Sequence, residues 1–231
     1  MSSNQSAVVE KISTQESMNE VKEKRYLYRF IKRIIDILGG IVGCLLLVPI
    51  TLALFVIKNF SKEDKGPLFY EQLRVGKNGK EFRLYKYRSM VMHADEKLWE
   101  YLNKNPEAKE EYKKYKKLKE DPRVTKFGKF LRETSLDEFP QLINVLKGDM
   151  SLVGPRPYLY REKQDMEDRF DTIVTVKPGL TGLWQVNGRN DTDFEERTRI
   201  DVEYIQRRSL WLDFKIFVRT FLKVFKKEGA K

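Results

Sequence analysis

KRIIDILGGIVGCLLLVPITLALFVI, residues 32–57, opens with Lys32, Arg33 and Asp36 and then carries no charge as far as Ile57. Such a run is long enough for a bilayer, whose hydrocarbon takes roughly 20 apolar residues of helix. Three features disturb a plain spanning helix: Pro49 lies mid-run, Gly39, Gly40 and Gly43 loosen the first half, and Asp36 sits at the entrance. Proline removes a backbone donor and kinks a helix. Both flanks are basic, with Arg25 and Arg29 before the run and Lys58, Lys62 and Lys65 after it, so the positive-inside rule gives only a modest preference for crossing. A re-entrant hairpin that breaks near Val48-Pro49 suits both flanks and leaves Lys32, Arg33 and Asp36 at headgroup depth. A kinked span suits the residues about as well. The run starts too late and is too long for a cleaved signal peptide, and is expected to stay attached.

Outward from this run the chain divides into three parts. Residues 1–24 are polar and expected to form a flexible extension, residues 25–65 form the basic approach and the membrane element, and residues 66–231 leave room for one globular domain ending in an amphipathic helix. The formal charge of +11 calls for an anionic partner: nucleic acid, an acidic membrane surface or a phosphorylated substrate. One cysteine, Cys44, and one histidine, His93, exclude a disulfide framework and an ordinary Cys/His zinc site. A bound metal is therefore expected to have oxygen ligands.

After the run, PLFYEQLRVGKNGKEFRLYKYRSM (67–90) alternates around Gly76-Lys77-Asn78-Gly79 and predicts a β-hairpin, with Lys86 and Arg88 on one face of its second strand. Residues 93–120 are charge-rich and predict solvated helices broken at Asn105-Pro106. Phe127, Phe130 and Leu131 mark a short amphipathic helix, against the membrane or against the core. A further helix is expected over residues 136–146, with Ser135 as N-cap and Asp137 and Glu138 in its first turn, where the helix dipole favours their ionised forms. Residues 211–225 predict an interfacial amphipathic helix with Lys215, Arg219 and Lys223 on one stripe.

Asp137-Glu138 is the pair that carries chemistry. Adjacent carboxylates usually lie on solvated helix faces, but here Arg132 precedes them and Gly154-Pro155-Arg156-Pro157 follows, its prolines restricting the backbone around an arginine. A carboxylate nucleophile, an oxygen-ligated cation and fixed positive charge are the parts that phosphoryl transfer needs. GLWQVNGRN (182–190), with Asn187 and Arg189, suits a loop over a nucleotide or sugar; Trp184 in it either stacks on a base or packs.

KRIID at the membrane entrance, YKYRSM, LRETSLDEFPQLINVLKGDMSLVGPRP, KPGLTGLWQVNGRN and RIDVEYI, in that order, resemble the bacterial sugar transferases, the monotopic phosphoglycosyl transferases. The resemblance covers residues 32–227. It implies an α/β fold: a re-entrant membrane helix hairpin, then a small cytoplasmic domain with a short β-hairpin and interfacial helices, lying against the bacterial inner membrane. It further implies Mg²⁺, a UDP-sugar donor and a polyprenyl (undecaprenyl) phosphate acceptor. By the same carry-over Asp137 is the nucleophile, and Asp137 and Glu138 are the candidate metal ligands. Lys86, Arg88, Arg132, Arg156, Asn187, Arg189 and Asp201 are the candidate substrate-binding residues, Asp201 matching an acidic position of the family. Homo-oligomerisation and the donor sugar are left open. The reading from another class is a non-enzymatic, membrane-anchored polybasic protein, which would tolerate loss of Asp137. A nucleic-acid binder leaves the apolar run unexplained.

Overall fold

The computed structural model describes the backbone of residues 2–60, 66–188 and 192–225, and side chains over 25–60, 66–187 and 192–223. The first helix, α1 (Ser2–Phe60), takes in the stretch expected as an extension, and Pro49 lies inside it. From Arg25 to Phe60 it is long and apolar enough to cross a membrane by length and composition.

One stripe of α1 faces the rest of the protein. Asp36, Gly40, Gly43, Leu47 and Leu54 are buried, while Ile34, Ile35, Leu38, Ile41, Val42, Leu45, Leu46, Leu52 and Phe55 are exposed. The buried positions recur at helical spacing, so one face is covered and the other is left bare. The glycines, expected to loosen the helix, are contact points: a Cβ on Gly39 would strike Leu152 and one on Gly43 would strike Leu142.

The hairpin forms as expected, β1 (Phe69–Val75) pairing antiparallel with β2 (Glu81–Tyr87). Its turn is a single 3₁₀ turn, Lys77–Gly79, in which Asn78 takes a left-handed conformation with φ 59°, a conformation asparagine tolerates better than most residues. Then come α2 (Ala94–Lys104) and α3 (Pro106–Tyr115), separated at Asn105 as expected. They enclose a small core of their own, with Leu98, Leu102 and Leu118 buried beside Tyr101 and Tyr112.

In α4 (Lys126–Glu133) the core alternative holds for two of the three apolar residues: Leu131 is fully buried and Phe127 packs with it, whereas Phe130 is exposed. Thr125 caps this helix by accepting from the Gly128 N–H at 2.8 Å. After it come α5 (Gln141–Lys147), β3 (Ser151–Val153), α6 (Arg169–Ile173), β4 (Gly179–Thr181), α7 (Leu183–Gly188), α8 (Phe194–Arg207) and α9 (Leu210–Phe225). Strands β3 and β4 pair in parallel, Ser151 opposite Gly179 and Val153 opposite Thr181. Backbones cross so closely here that a Cβ on Gly154 would lie 2.7 Å from the Lys177 carbonyl oxygen.

The main core gathers α5, β3, α6, α7, α8 and one face of α9 around Met150, Met166, Tyr204 and Ile216. A second cluster joins α1 to the hairpin and α4 through Leu47, Leu54, Leu68, Tyr87 and Leu131. On α9 the side away from the core is apolar as well, with Trp211, Phe214, Phe217, Phe221 and Leu222 exposed. This is a mixed helical and sheet protein whose long apolar helix lies along the folded domain.

Candidate active site

Asp137 and Glu138 do not sit in the first turn of the helix expected over residues 136–146. They occupy a separate 3₁₀ turn, Leu136–Glu138, and α5 begins only after Pro140. Proline has no N–H to donate, so an α-helix running through Pro140 would lack a backbone bond there; Phe139 and Pro140 keep helical dihedrals, and the break lies in that missing bond. Ser135 is not a capping residue; its φ is 56° and its side chain caps nothing. The carboxylates are held in place by packing instead, because Leu136 and Phe139 on either side of them enter the cluster shared with α1.

Lys86 reaches this turn from β2, its Nζ donating to Glu138 Oε1 at 3.1 Å. The strand is held in register with α5 by Asn144, which accepts from the Tyr85 N–H at 3.0 Å and donates to the Arg83 carbonyl at 2.7 Å. Arg132, at the end of α4, donates from Nε to Ser89 Oγ at 3.1 Å. Asp137 is buried, and its pKa is pushed up to about 6, chiefly by burial and further by Glu138, against the pull of Lys86 and Arg132. The expectation that a helix dipole holds Asp137 ionised is thus replaced by two cations working against desolvation. Arg88 turns away, donating to the Pro67 carbonyl at 2.9 Å and lying over Tyr70.

A second polar group is built where β3 leaves the core. Asp201 of α8 is fully buried and accepts from the Arg156 N–H at 3.0 Å and the Tyr158 hydroxyl at 2.8 Å. Burial pushes its pKa up to about 7 against these hydrogen bonds and the Arg156 charge. Trp184 is buried beneath two guanidinium groups, Arg156 at 5.9 Å and Arg197 at 5.4 Å from its ring. Of the two roles open to Trp184, the geometry is that of a packed cation-π platform.

Arg156 Nε, Trp184 Nε1 and Asp201 Oδ1 are buried without a hydrogen-bond partner among the described residues. Asn187 is exposed near the end of α7, and Arg189 lies outside the described residues. The largest charge effects on Asp137 come from Lys86, Glu138 and Arg132.

Sequence reading passed over two members of the second group, Arg74 and Arg197. Arg74 is buried on β1 and donates to the Pro157 carbonyl at 2.9 Å; burial and the nearby Arg156 charge lower its pKa to about 10. Cations buried close together are a costly arrangement that an anion would relieve. In the sequence Arg74 is one polar residue of an alternating strand, and only its place beside GPRP in space distinguishes it.

The membrane-element residues are also engaged. Asp36 accepts from Ser151 Oγ and from the Leu152 N–H, each at 2.9 Å. Arg33 donates to the Val145 and Leu146 carbonyls at the end of α5, where exposed carbonyls and the helix dipole favour a cation. Lys32 pairs with Asp213 of α9 at 2.7 Å.

Among the described residues no group of three or more His, Cys, Asp or Glu side chains converges on a point. A cation at the dyad would rest on two carboxylates completed by substrate phosphates. That donor set fits Mg²⁺, which is commonly held by one or two carboxylates plus phosphate and water.

The site is an acidic dyad acted on by two cations, in a turn docked against a long apolar helix. The chain belongs to the bacterial sugar transferase family, whose description is matched by residues 27–227. It is 46% identical over 202 residues to an undecaprenyl-phosphate galactose phosphotransferase of Salmonella typhimurium, an alignment covering 87% of this chain and 42% of that protein. With the exopolysaccharide production protein ExoY of Rhizobium meliloti it shares 41% identity over 199 residues, 86% of this chain and 87% of the relative. A UDP-glucose:undecaprenyl-phosphate glucose-1-phosphate transferase of Escherichia coli strain K12 is 37% identical over 210 residues, 87% of this chain and 42% of the relative. The chain therefore spans about two fifths of the Salmonella and Escherichia proteins and most of the Rhizobium one.

Proposed function

We propose that this protein transfers a sugar-1-phosphate from a UDP-sugar to undecaprenyl phosphate, releasing UMP, at the cytoplasmic face of the bacterial inner membrane. The product would begin assembly of an exopolysaccharide, capsule, O-antigen or glycoprotein glycan. The observation that carries the reading is the buried Asp137 carboxylate, acted on by the charges of Lys86 and Arg132, in a turn packed beside α1. In the first half-reaction a carboxylate oxygen of Asp137 bonds to the sugar-bearing phosphorus as its bond to the UMP oxygen breaks. In the second, an oxygen of undecaprenyl phosphate displaces the aspartyl oxygen and regenerates the carboxylate.

Lys86 and Arg132 would hold phosphate oxygens and oppose the charge that builds during transfer. Asp137 and Glu138 would hold Mg²⁺, which when bound supplies neutralisation of the phosphate oxygens. The Arg156–Arg197 platform is the candidate for the donor's diphosphate or nucleotide. Release of UMP from UDP-galactose, UDP-glucose or an acetamido UDP-sugar, with turnover dependent on undecaprenyl phosphate, is the expected result. No release from any of them would revive the polybasic-anchor reading.

The attacking carboxylate must be ionised, so transfer should fall on the acid side as Asp137 is protonated; Mg²⁺ held by the dyad would favour the ionised form and set that limb below the metal-free value of about 6. Lys86→Met removes the stronger of the two cations that lower this pKa, so the acid limb should move to higher pH in a single-turnover pH–rate profile. An unmoved limb would separate the limb from Asp137.

A re-entrant, one-sided α1 is part of the proposal. Its contacts with the folded domain run from Tyr28, bonded to Asp213, to the buried Leu54 beyond Pro49. At the helical rise per residue this is about 39 Å, close to the whole thickness of a bilayer with its headgroups. A straight span would carry the polar domain into the hydrocarbon, whereas a helix that stays with the domain on one leaflet would not. Pro49→Ala is expected to favour a straighter helix and expose the N-terminus to labelling from the far side. Unchanged labelling would relieve Pro49 of that role.

A further inference from the structure

We propose that the basic cavity midway along α1 binds the phosphate of an anionic membrane lipid. The cavity has a volume of about 220 Å³ and is lined by Arg29, Lys32 and Arg33 of α1, Lys77 of the hairpin turn, Lys177 before β4 and Arg208 after α8. Among the described residues Asp36 is the one carboxylate on its wall, and its Oδ1 is taken up by Ser151 and Leu152. Lys32 is neutralised by Asp213 and Arg33 is spent on the end of α5.

Arg208 is turned to the Ile205 carbonyl; besides Arg29, Lys77 and Lys177 are left. Among the described residues neither makes an ion pair or a side-chain hydrogen bond, although Asp36 and Asp149 act on Lys177 at longer range. Lys177 is instead crowded by its own kind. A Cβ on Gly148 would lie 3.2 Å from Arg33 Nη2 and 3.3 Å from Lys177 Nζ, so both cationic ends converge on one glycine. Burial and the charges of Arg33 and Lys77 lower the pKa of Lys177. Cations drawn from α1, the hairpin turn and the link before β4, around a space that admits a phosphate and its ester substituents, are arranged for an anion.

The position favours a lipid as the source of that phosphate. On the same helix Ile34, Ile35 and Leu38 are exposed, and they begin the bare apolar face that continues through Ile41, Val42 and Leu45. An anionic headgroup in the cavity would have its acyl chains beside that face, matching charge and apolar surface together. The cavity is distinct from the dyad, since neither Lys86 nor Arg132 lines it. The inference rests on the membrane reading of α1 given above, and not on the chemistry at Asp137.

The test counts lipids retained by the full chain, released from neutral detergent, by native mass spectrometry. The probes are phosphatidylglycerol and, as a zwitterionic reference, phosphatidylcholine. The variant K77Q/K177Q is compared with K97Q/K113Q, which removes the same charge from exposed positions on α2 and α3. Phosphatidylglycerol is expected to be preferred by the wild type and retained about thirtyfold less by K77Q/K177Q, in line with roughly 1 kcal/mol for each of the two cations near a membrane surface. K97Q/K113Q should behave as wild type, and K77R/K177R should restore retention.

Equal losses in both glutamine pairs, or none in K77Q/K177Q, would overturn the proposal. If inorganic phosphate stabilises the wild type through these two lysines while lipid retention ignores them, the occupant is a soluble phosphate and the lipid assignment fails. A missing aspartyl adduct leaves all of these readings unaffected, so the two proposals fail separately.

Discussion

Asp137→Asn is expected to abolish transfer and at the same time make the metal-free protein more stable at neutral pH. The first effect follows from the proposed role: an amide cannot form the acyl phosphate, and loss of a covalent nucleophile costs several orders of magnitude in rate. The second follows from burial. The carboxyl has a pKa near 3.9 in an unfolded chain and about 6 in the folded protein. Folding therefore disfavours the charged form. The penalty is absent below about pH 4, grows as the pH rises, and is complete above the folded value.

Removing the charge should then gain about 2 to 3 kcal/mol at pH 7.5, or on the order of 5 to 10 °C in Tm for a domain of this size, and nothing at pH 4. Thermal melts of wild type and variant at both pH values check the sign. A variant that is less stable at pH 7.5 would mean that Lys86 and Arg132 outweigh desolvation.

The second large effect is expected at Asp201. Truncation by Asp201→Ala strands the buried Tyr158 hydroxyl and leaves the Arg156 N–H without its acceptor. An unpaired buried polar group costs about 1 to 3 kcal/mol, so at pH 4, where the carboxyl carries no charge penalty, a net loss of about 2 to 4 kcal/mol and a lower Tm are expected, with a raised KM for the UDP-sugar in assays near neutrality as Arg156 loses its support. Asp201→Asn keeps an acceptor and should retain most of the stability and the KM. Because the folded pKa of Asp201 is raised to about 7, wild-type stability should fall as pH rises from about 4 to about 7, and that slope should flatten in Asp201→Asn. Equal KM values for wild type and Asp201→Ala would remove Arg156 from the donor site.

How much of this was legible in the sequence depended on how local the signal was. The hairpin could be read because Lys77-Asn78-Gly79 forces a turn wherever it stands and the flanks alternate at the strand period. The break at Asn105-Pro106 was equally local. The dyad could be picked out, but its backbone was misread: the apolar spacing of Leu136, Phe139, Leu142 and Ile143 fits a helix, and Pro140 within it was given too little weight.

Gly39, Gly40 and Gly43 were read along the helix as weak points, whereas their reason lies across it, in Leu152, Leu146 and Leu142. Asp36 likewise marked the membrane entrance in the sequence, and only the fold brings Ser151 and Leu152 to it across more than a hundred residues. Arg74, Arg197 and Lys177 gave no signal because each acts through neighbours that are remote in the chain. Residues whose roles are set by tertiary approach are the ones that pattern and motif leave undetermined.

The central claim is a covalent phosphosugar on Asp137, and intact-mass analysis tests it most directly. Full-length protein in detergent is incubated with Mg²⁺ and each UDP-sugar, without undecaprenyl phosphate, alongside Asp137→Asn. The account predicts a mass increase equal to one sugar phosphate in the wild type with a matching donor, absent from the variant and discharged when undecaprenyl phosphate is added. An adduct of the same mass on Asp137→Asn, or UMP release and lipid-linked product from a wild type that never carries the adduct, would contradict it.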